Sequence, residues 1–337
     1  MPAYLRVNHF IMKVFITKQI QQSAIDLLEA NNIEVTQYLD EEPMSNHHLI
    51  TTLKNYDGLL SVGHVAINEE LLSQSTHLKG ISLMSVGYDN VDIDAASRYG
   101  IPVSNTPNVL NEATSDVAFL LILNVSRKAI FNYNRIVNDE WHSYNPTANL
   151  GIDITNKTLG IFGLGRIGIS LARKCKAAFN MNIIYHNRNR NPEAEALLDA
   201  RYVSFDELLE QSDILSVHAN LSAETNEIFN ESAFRKMKPT SIFINTARGK
   251  LHNETDLTQA LIERKIWGVG LDVTNPEPMH HDNILLTMEN VCIMPHIGSA
   301  TVETRDKMAM MSAQNIIAAL NGDEMPQCIN PEVYANK

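Results

Sequence analysis

The stretch Thr158-Leu-Gly-Ile-Phe-Gly163-Leu-Gly165-Arg166-Ile167-Gly168 decides the architecture of the chain. An apolar run that reads as a strand, residues 158–162, leads directly into the pattern G-x-G-x-x-G. Apolar residues then recur at helical spacing (Ile167, Leu171, Ala172, Cys175), and residues 182–185 read as another strand. This strand–loop–helix–strand setting turns a weak glycine pattern into a dinucleotide-binding one. Gly163 permits the tight turn, Gly165 lets backbone approach a pyrophosphate, and Gly168 lets helix and strand pack closely. The helix N-terminus offers its N–H groups to the phosphates.

The end of the second strand reports on the cofactor. Sites for NAD usually carry Asp or Glu about twenty residues on, for the ribose hydroxyls. This chain reads Tyr185-His186-Asn187-Arg188-Asn189-Arg190, with two Arg and no carboxylate. A 2′-phosphate is attracted by guanidinium groups. NADP is therefore expected, with Asn187 and Arg188 at the cofactor. The alternative is that the two Arg are solvated and NAD binds through its hydroxyls.

Working outward, apolar runs alternate with helical patterns, the mark of an α/β protein with parallel sheets. Before the glycine loop, strands are expected at residues 12–16, 33–37, 58–62, 81–85 and 101–104. After it they are expected at 182–185, 213–217, 241–245, 269–272 and 291–294. One long helix is expected from near Asn111 past Ile136, and a last helix over 303–320 is closed by Asn321-Gly322. The expected fold is α/β, with two doubly wound parallel-sheet, Rossmann-like domains: a discontinuous substrate domain (12–106 and 299–337) and a dinucleotide-binding domain (107–298). A chain that leaves one domain and returns to it predicts a cleft with two hinges.

Composition narrows the function. The chain has 337 residues, enough for about two domains, with 44% hydrophobic and 20% charged residues, an ordinary globular balance. Lys plus Arg is 27 and Asp plus Glu is 39, so the net charge is −12. That surplus of acid argues against nucleic acid or an anionic membrane as partner. Cys175, Cys292 and Cys328 are far apart and odd in number, so neither a disulfide framework nor a cysteine zinc site is expected. No apolar run reaches membrane-spanning length, and the first eleven residues do not read as a signal peptide. Met12, where the folded pattern begins, is an alternative start, and a cytoplasmic location is expected.

Three polar residues stand where strands of the second half should end: Arg248 in Ile244-Asn-Thr-Ala-Arg-Gly249, Glu277 in Leu271-Asp-Val-Thr-Asn-Pro-Glu-Pro278, and His296 in Met294-Pro-His-Ile-Gly-Ser-Ala-Thr301. Ligands of open parallel sheets gather beyond the carboxyl ends of the strands. Arg can grip a substrate carboxylate through two parallel hydrogen bonds. A carboxylate can hold an imidazole, and a protonated imidazole can donate to a carbonyl oxygen as hydride reaches its carbon. Singly, each has a plainer role: a core histidine, a surface ion pair, a turn residue between prolines. The tandem pairs His47-His48 and His280-His281 point apart on any regular element, so no metal site is expected and both read as solvated loops.

The chain resembles the D-isomer-specific 2-hydroxyacid dehydrogenase family. The shared stretches are Ser85-Val-Gly-Tyr-Asp-Asn-Val-Asp92, Asn105-Thr-Pro107, the glycine loop 158–168, Phe243-Ile-Asn-Thr-Ala-Arg-Gly249, Gly270-Leu-Asp-Val-Thr-Asn-Pro-Glu-Pro278 and Pro295-His-Ile-Gly-Ser-Ala-Thr301. Its wording is most similar to the glyoxylate/hydroxypyruvate reductase branch. The resemblance implies an NADPH-dependent reductase of small 2-oxo acids to D-2-hydroxy acids, in which His296 is the general acid, Glu277 its partner and Arg248 the substrate anchor. It implies that Val86 and Gly87 offer backbone N–H groups to the substrate carboxylate and that Ser299 faces the substrate. It also implies that Arg166 and Ile167 touch the pyrophosphate, that Thr246, Asp272 and Gly298 lie at the cofactor, and that Asn220, where many relatives have Pro, belongs to the cofactor loop. The tract Trp141-His-Ser-Tyr144-Asn-Pro146 resembles the branch's dimer loop, implying a homodimer; its aromatics either reach the neighbouring active site or anchor the interface. Other branches, D-lactate or phosphoglycerate dehydrogenase, and a non-catalytic NAD(P)H-sensing scaffold are the alternatives.

Overall fold

The computed structural model describes residues 11–42 and 44–335. The segment 1–10, expected to carry no secretory signal, lies outside the described residues. The chain forms two compact units: one runs to Val109 and resumes at Thr301, and the other is Leu110–Ala300.

In the first unit, β1 (Met12–Ile16), β2 (Ile33–Gln37), β3 (Gly58–Ser61), β4 (Gly80–Leu83) and β5 (Val103–Ser104) form a wholly parallel sheet in the order β2-β1-β3-β4-β5. Strands covered on both faces need consecutive apolar residues rather than alternation. All four residues of β3 and of β4 are accordingly buried. The helices Gln22–Ala30 and Val302–Asn321 pack together on one face. The second is closed by Gly322 at φ 84°, as its sequence predicts. At the β5 edge, beside the bond from the Ile329 N–H to the Val103 carbonyl, one side chain serves two further backbone groups. Asn330, 1% exposed, accepts from the Val103 N–H at 2.8 Å and donates to the Ile101 carbonyl at 3.0 Å.

The second unit holds β6 (Thr158–Phe162), β7 (Asn182–His186), β8 (Arg201–Tyr202), β9 (Ile214–Val217), β10 (Ile242–Asn245), β11 (Gly268–Leu271) and β12 (Val291–Ile293). They form one parallel sheet in the order β12-β11-β10-β9-β6-β7-β8. β8 escapes the sequence pattern because it is a two-residue edge strand with no apolar run. Alternate residues of β6 feed opposite cores: Leu159 and Ile161 join Leu121, Leu171 and Tyr185, while Phe162 joins Phe229 and Phe243. Each such fully buried side chain contributes about 1.5–3 kcal/mol. Burial pushes the thiols of Cys175 and Cys292 up to about 12 and about 11, which marks both as core residues rather than nucleophiles.

Two expectations are corrected. The single helix from Asn111 past Ile136 is two, Asn111–Arg127 and Ala129–Val137, parted by Lys128 at φ 52°. The Lys128 ammonium meets Glu289 at 2.9 Å and lies 5.1 Å from the Trp267 ring centroid. A buried cation needs such partners, and both come from remote chain. His47 and His48 lie in the first turn of the helix Asn46–Leu53, not in a loop, because Ser45 caps it by accepting from the His48 N–H. Among the described residues no helix is long and apolar enough to cross a membrane.

Replacing Asn330 by Ala strands a buried N–H and a buried carbonyl at the sheet edge. We expect a loss of about 2–4 kcal/mol, read as a lower denaturation midpoint with unchanged slope. An unchanged midpoint would mean that water serves both groups equally well.

Candidate active site

The sheet order reverses between β6 and β9, and the loops leaving these strands part at that point. Gly163 takes φ +99°, and a Cβ there would stand 2.6 Å from the Ala219 backbone N, so the turn passes another backbone where only glycine fits. At Gly165 a Cβ would face open space. At Gly168 it would press on the Gly163 carbonyl at 2.8 Å and on Ile161 at 3.0 Å. The Arg166–Phe179 helix starts with no side-chain cap. Arg166 is exposed and Ile167 half-buried at its first turn. A cleft of about 630 Å³ opens here, lined by Gly163, Gly165, Asn187, Arg190, His218 and Asn220, among others. An uncapped helix end, an open approach at Gly165 and a cleft at the sheet's reversal suit the phosphates of a dinucleotide.

Asparagines build the wall of this cleft. Asn187 Oδ1 accepts from the Leu164 N–H at 2.6 Å, and Asn191 Nδ2 donates to the Leu164 carbonyl at 3.2 Å. Asn191 also caps the Pro192–Leu198 helix, with Pro192 in its first turn. Asn187 is thus seen tying the loop 187–191 to the glycine loop. The two arginines, counted alike in the sequence, differ. Arg188 is exposed, and its charge helps to hold the Glu224 carboxyl below its usual range, after hydrogen bonds from Ser222 and from backbone. Arg190 is engaged by Glu195 through two hydrogen bonds, 3.1 and 2.7 Å, and lies over the Tyr202 ring. Asn220 is exposed at the lip, where its carbonyl accepts from the Thr225 hydroxyl at 2.9 Å.

The loops after β10, β11 and β12 carry the other polar groups. Asn245, wholly buried, donates to the Arg248 carbonyl at 2.8 Å and accepts from the Ala247 N–H at 3.0 Å. A Cβ on Gly249 would stand 2.0 Å from the Thr274 carbonyl oxygen, so the Arg248 loop is pressed against the loop that leads to Glu277. Asp272, 1% exposed, accepts from the Ile297 and Gly298 N–H groups, each at 2.8 Å. Burial pushes its carboxyl above the usual range, opposed by those two hydrogen bonds and by the His296 charge. This clamp holds His296 at φ 53°, a conformation that costs a non-glycine residue about 1–3 kcal/mol unless its surroundings impose it. His296 Nδ1 then meets Glu277 Oε1 at 2.5 Å. Ser299 follows in the same loop, half-buried. Val86 and Gly87 belong to the first unit, where Asn105 Nδ2 donates to the Val86 carbonyl and Ser85 Oγ to the Gly87 carbonyl, both at 2.7 Å.

Sequence inspection passes over Asn245, Asn191 and His218. His218 Nε2 pairs with Ser216 Oγ at 2.9 Å, and its Nδ1 lies 3.4 Å from the Thr246 hydroxyl. Its only sequence signal is its place straight after β9, next to the reversal point. Thr246 itself is 8% exposed.

A dinucleotide cradle and a carboxylate-held histidine, carried by one doubly wound sheet, define a dehydrogenase-like site. The comparisons agree. Residues 119–298 match the model of the D-isomer specific 2-hydroxyacid dehydrogenase, NAD binding domain. A glyoxylate reductase of Thermococcus litoralis is 40% identical over 96% of this chain and 98% of its own length. The crystal structure of a glyoxylate reductase from Paecilomyes thermophila superposes with a TM-score of 0.84 at 34% identity, covering 95% of this chain and 99% of that one. An NADPH-dependent glyoxylate/hydroxypyruvate reductase of Sinorhizobium meliloti, solved with NADP and malonate, gives 0.81 at 27% identity, covering 95% and 97%. The chain belongs to the D-isomer specific 2-hydroxyacid dehydrogenase family and is an NAD(P)-dependent oxidoreductase.

Burial also sets an acid limit. It pulls His218 and His252 down from 6.5 to about 4. A folded-state value below the unfolded one favours the neutral ring in the fold. The stabilisation is complete above pH 6.5 and is lost as pH falls toward 4. We expect the melting temperature to drop over that window, and His252→Gln to make the drop shallower. Equal slopes in the two proteins would show that His252 takes up its proton without unfolding.

Proposed function

We propose that the protein reduces small 2-oxo acids to D-2-hydroxy acids with NADPH as the preferred reductant, and that glyoxylate and hydroxypyruvate are its leading substrates. The observation that carries this reading is the His296–Glu277 pair at 2.5 Å, on a loop that Asp272 clamps, in the unit that also holds the dinucleotide cradle. The names of the similar proteins support the substrate class. The NADP bound by the Sinorhizobium meliloti enzyme supports the cofactor, as does the absence of a carboxylate in Tyr185–Arg190.

In this reading residues 107–298 form the dinucleotide-binding domain, and 12–106 with 299–337 form the substrate domain. Gly163, Gly165, Arg166, Ile167 and Gly168 take the pyrophosphate, and Arg188 takes the 2′-phosphate. Asn187 shapes that loop, Asn220 closes its lip, and Thr246, Asp272 and Gly298 border the nicotinamide. When bound, the reduced nicotinamide supplies hydride to the substrate's carbonyl carbon. Arg248 grips the substrate carboxylate and carbonyl, with Ser299 as a further contact, and Val86 and Gly87 offer backbone N–H groups in the substrate domain. Glu277 holds His296 at Nδ1, and His296 delivers a proton from Nε2 to the forming alkoxide.

The working form is proposed to be a homodimer in the cytoplasm. The Ala129–Val137 helix buries none of its residues within the chain, and Tyr133, Ile136, Trp141 and Tyr144 are all more than half exposed. Exposed apolar side chains clustered in this way support the interface reading. The free, unbridged cysteines suit a reducing compartment.

Initial rates at 340 nm, with NADPH or NADH against glyoxylate, hydroxypyruvate and pyruvate, test the activity. We expect NADPH with glyoxylate or hydroxypyruvate to be fastest. His296→Ala should cut kcat by about 10²–10⁴-fold while NADPH binding holds, and retained turnover would remove His296 as the acid. Tyr133→Glu with Ile136→Glu should convert dimer to monomer in sedimentation. A wild-type monomer would end the dimer proposal.

A further inference from the structure

The loop that follows β7 carries two cations in sequence but offers them unequally. Arg190 gives its Nε and one terminal nitrogen to the two oxygens of Glu195, at 3.1 and 2.7 Å, and its guanidinium lies 5.7 Å from the Tyr202 ring centroid. Glu195 is not an incidental partner. Its Oε1 also accepts from the hydroxyl of Tyr185 at 2.6 Å, and Tyr185 is fully buried, with its oxygen accepting from the Asn191 N–H at 2.8 Å. The carboxylate is therefore anchored from the core side, and the arginine is held against it from the solvent side. Glu195 is only 18% exposed, whereas Arg190 is 63% exposed. Arg190 nonetheless lines the cleft beside Asn187 and Asn189.

A two-point Arg–carboxylate pair has little net charge left to offer a second anion, and its donors on the paired edge are already used. Resting on the NADPH reading above, we propose that Glu195 is a specificity-determining residue: by holding Arg190 it leaves Arg188 as the working cation for the 2′-phosphate and moderates the preference of this enzyme for NADP over NAD. Tyr185 sets this arrangement by fixing where the Glu195 carboxylate stands. The motif Asn187-Arg-Asn-Arg190 therefore overstates the cationic character of the site.

Binding of NADPH and NADH to the full-length protein, without substrate, tests the proposal by titration of nicotinamide fluorescence. Glu195→Gln keeps the shape and the acceptor for Tyr185 but removes the charge that holds Arg190. It should tighten NADPH by about threefold to tenfold, within the range of a partly exposed ion pair, and leave NADH within about twofold. Arg190→Ala in the wild-type background should leave NADPH within about twofold, and in the Glu195→Gln background it should cancel the gain. Two results overturn the proposal: unchanged or weaker NADPH binding by Glu195→Gln, or a selective loss of NADPH on Arg190→Ala alone. The second result stands even if Glu195→Gln fails to fold. Arg188→Ala separates this inference from the reading beneath it. If that change weakens NADPH and NADH equally, the 2′-phosphate site itself is misassigned; if it weakens NADPH selectively while Glu195→Gln does nothing, only the role of Glu195 fails.

Discussion

Two backbone N–H groups, those of Ile297 and Gly298, end on the one carboxylate of Asp272. That buried acid ties the end of β11 to the loop after β12, and the loop's shape follows from it. His296 sits in the left-handed region because the chain must turn there to bring both N–H groups onto the acid. Gly298 must lack a side chain, since a Cβ would stand 2.9 Å from the Asp272 oxygen. The histidine ring is then delivered to Glu277. The geometry of the His296–Glu277 pair thus follows from a contact that does not itself include either member.

The other loops are held by the same means, with amide side chains in place of the acid. Asn187 and Asn191 clasp the N–H and the carbonyl of Leu164. Asn245 clasps the carbonyl of Arg248 and the N–H of Ala247, and Asn330 does so at the edge of the first sheet. An amide side chain both donates and accepts, so one buried residue can satisfy two backbone groups that no strand reaches. Such groups left unpaired would be costly. Loops that must be irregular to carry function are in this way given fixed partners.

Burial acts on the same region in a second way. His218 and His252 are kept neutral by it, and both touch residues that lead into the Arg248 loop, Thr246 and Asn245. The neutral ring can accept a hydrogen bond, as His252 Nδ1 does from Asn245. A charged ring would have to give that contact up. The support of the loop and the resistance of its histidines to protonation are one property.

Most of the parallel strands, the glycine loop, and the places of Arg248, Glu277 and His296 in the loops after β10, β11 and β12 were legible in the sequence, because each rests on local signals: apolar runs, glycine spacing, a polar residue in the loop that follows an apolar run. The family resemblance was legible for the same reason, as ordered short motifs. What could not be read were the pairings. Nothing near Lys128 announces a helix break, since its partners Glu289 and Trp267 come from distant chain. The Ser45 cap and the buried Leu49, Ile50 and Leu53 behind it make the His47-His48 segment helical, and that burial is set by distant chain. Arg188 and Arg190 look equivalent, yet one is taken by Glu195 because Tyr185 is buried where it can fix that carboxylate. The sequence alone determined most of the strands and helices and which polar groups follow them; the tertiary structure decided where helices break and which charges remain for a ligand, because a hydrogen bond or ion pair depends on distance in space and not along the chain.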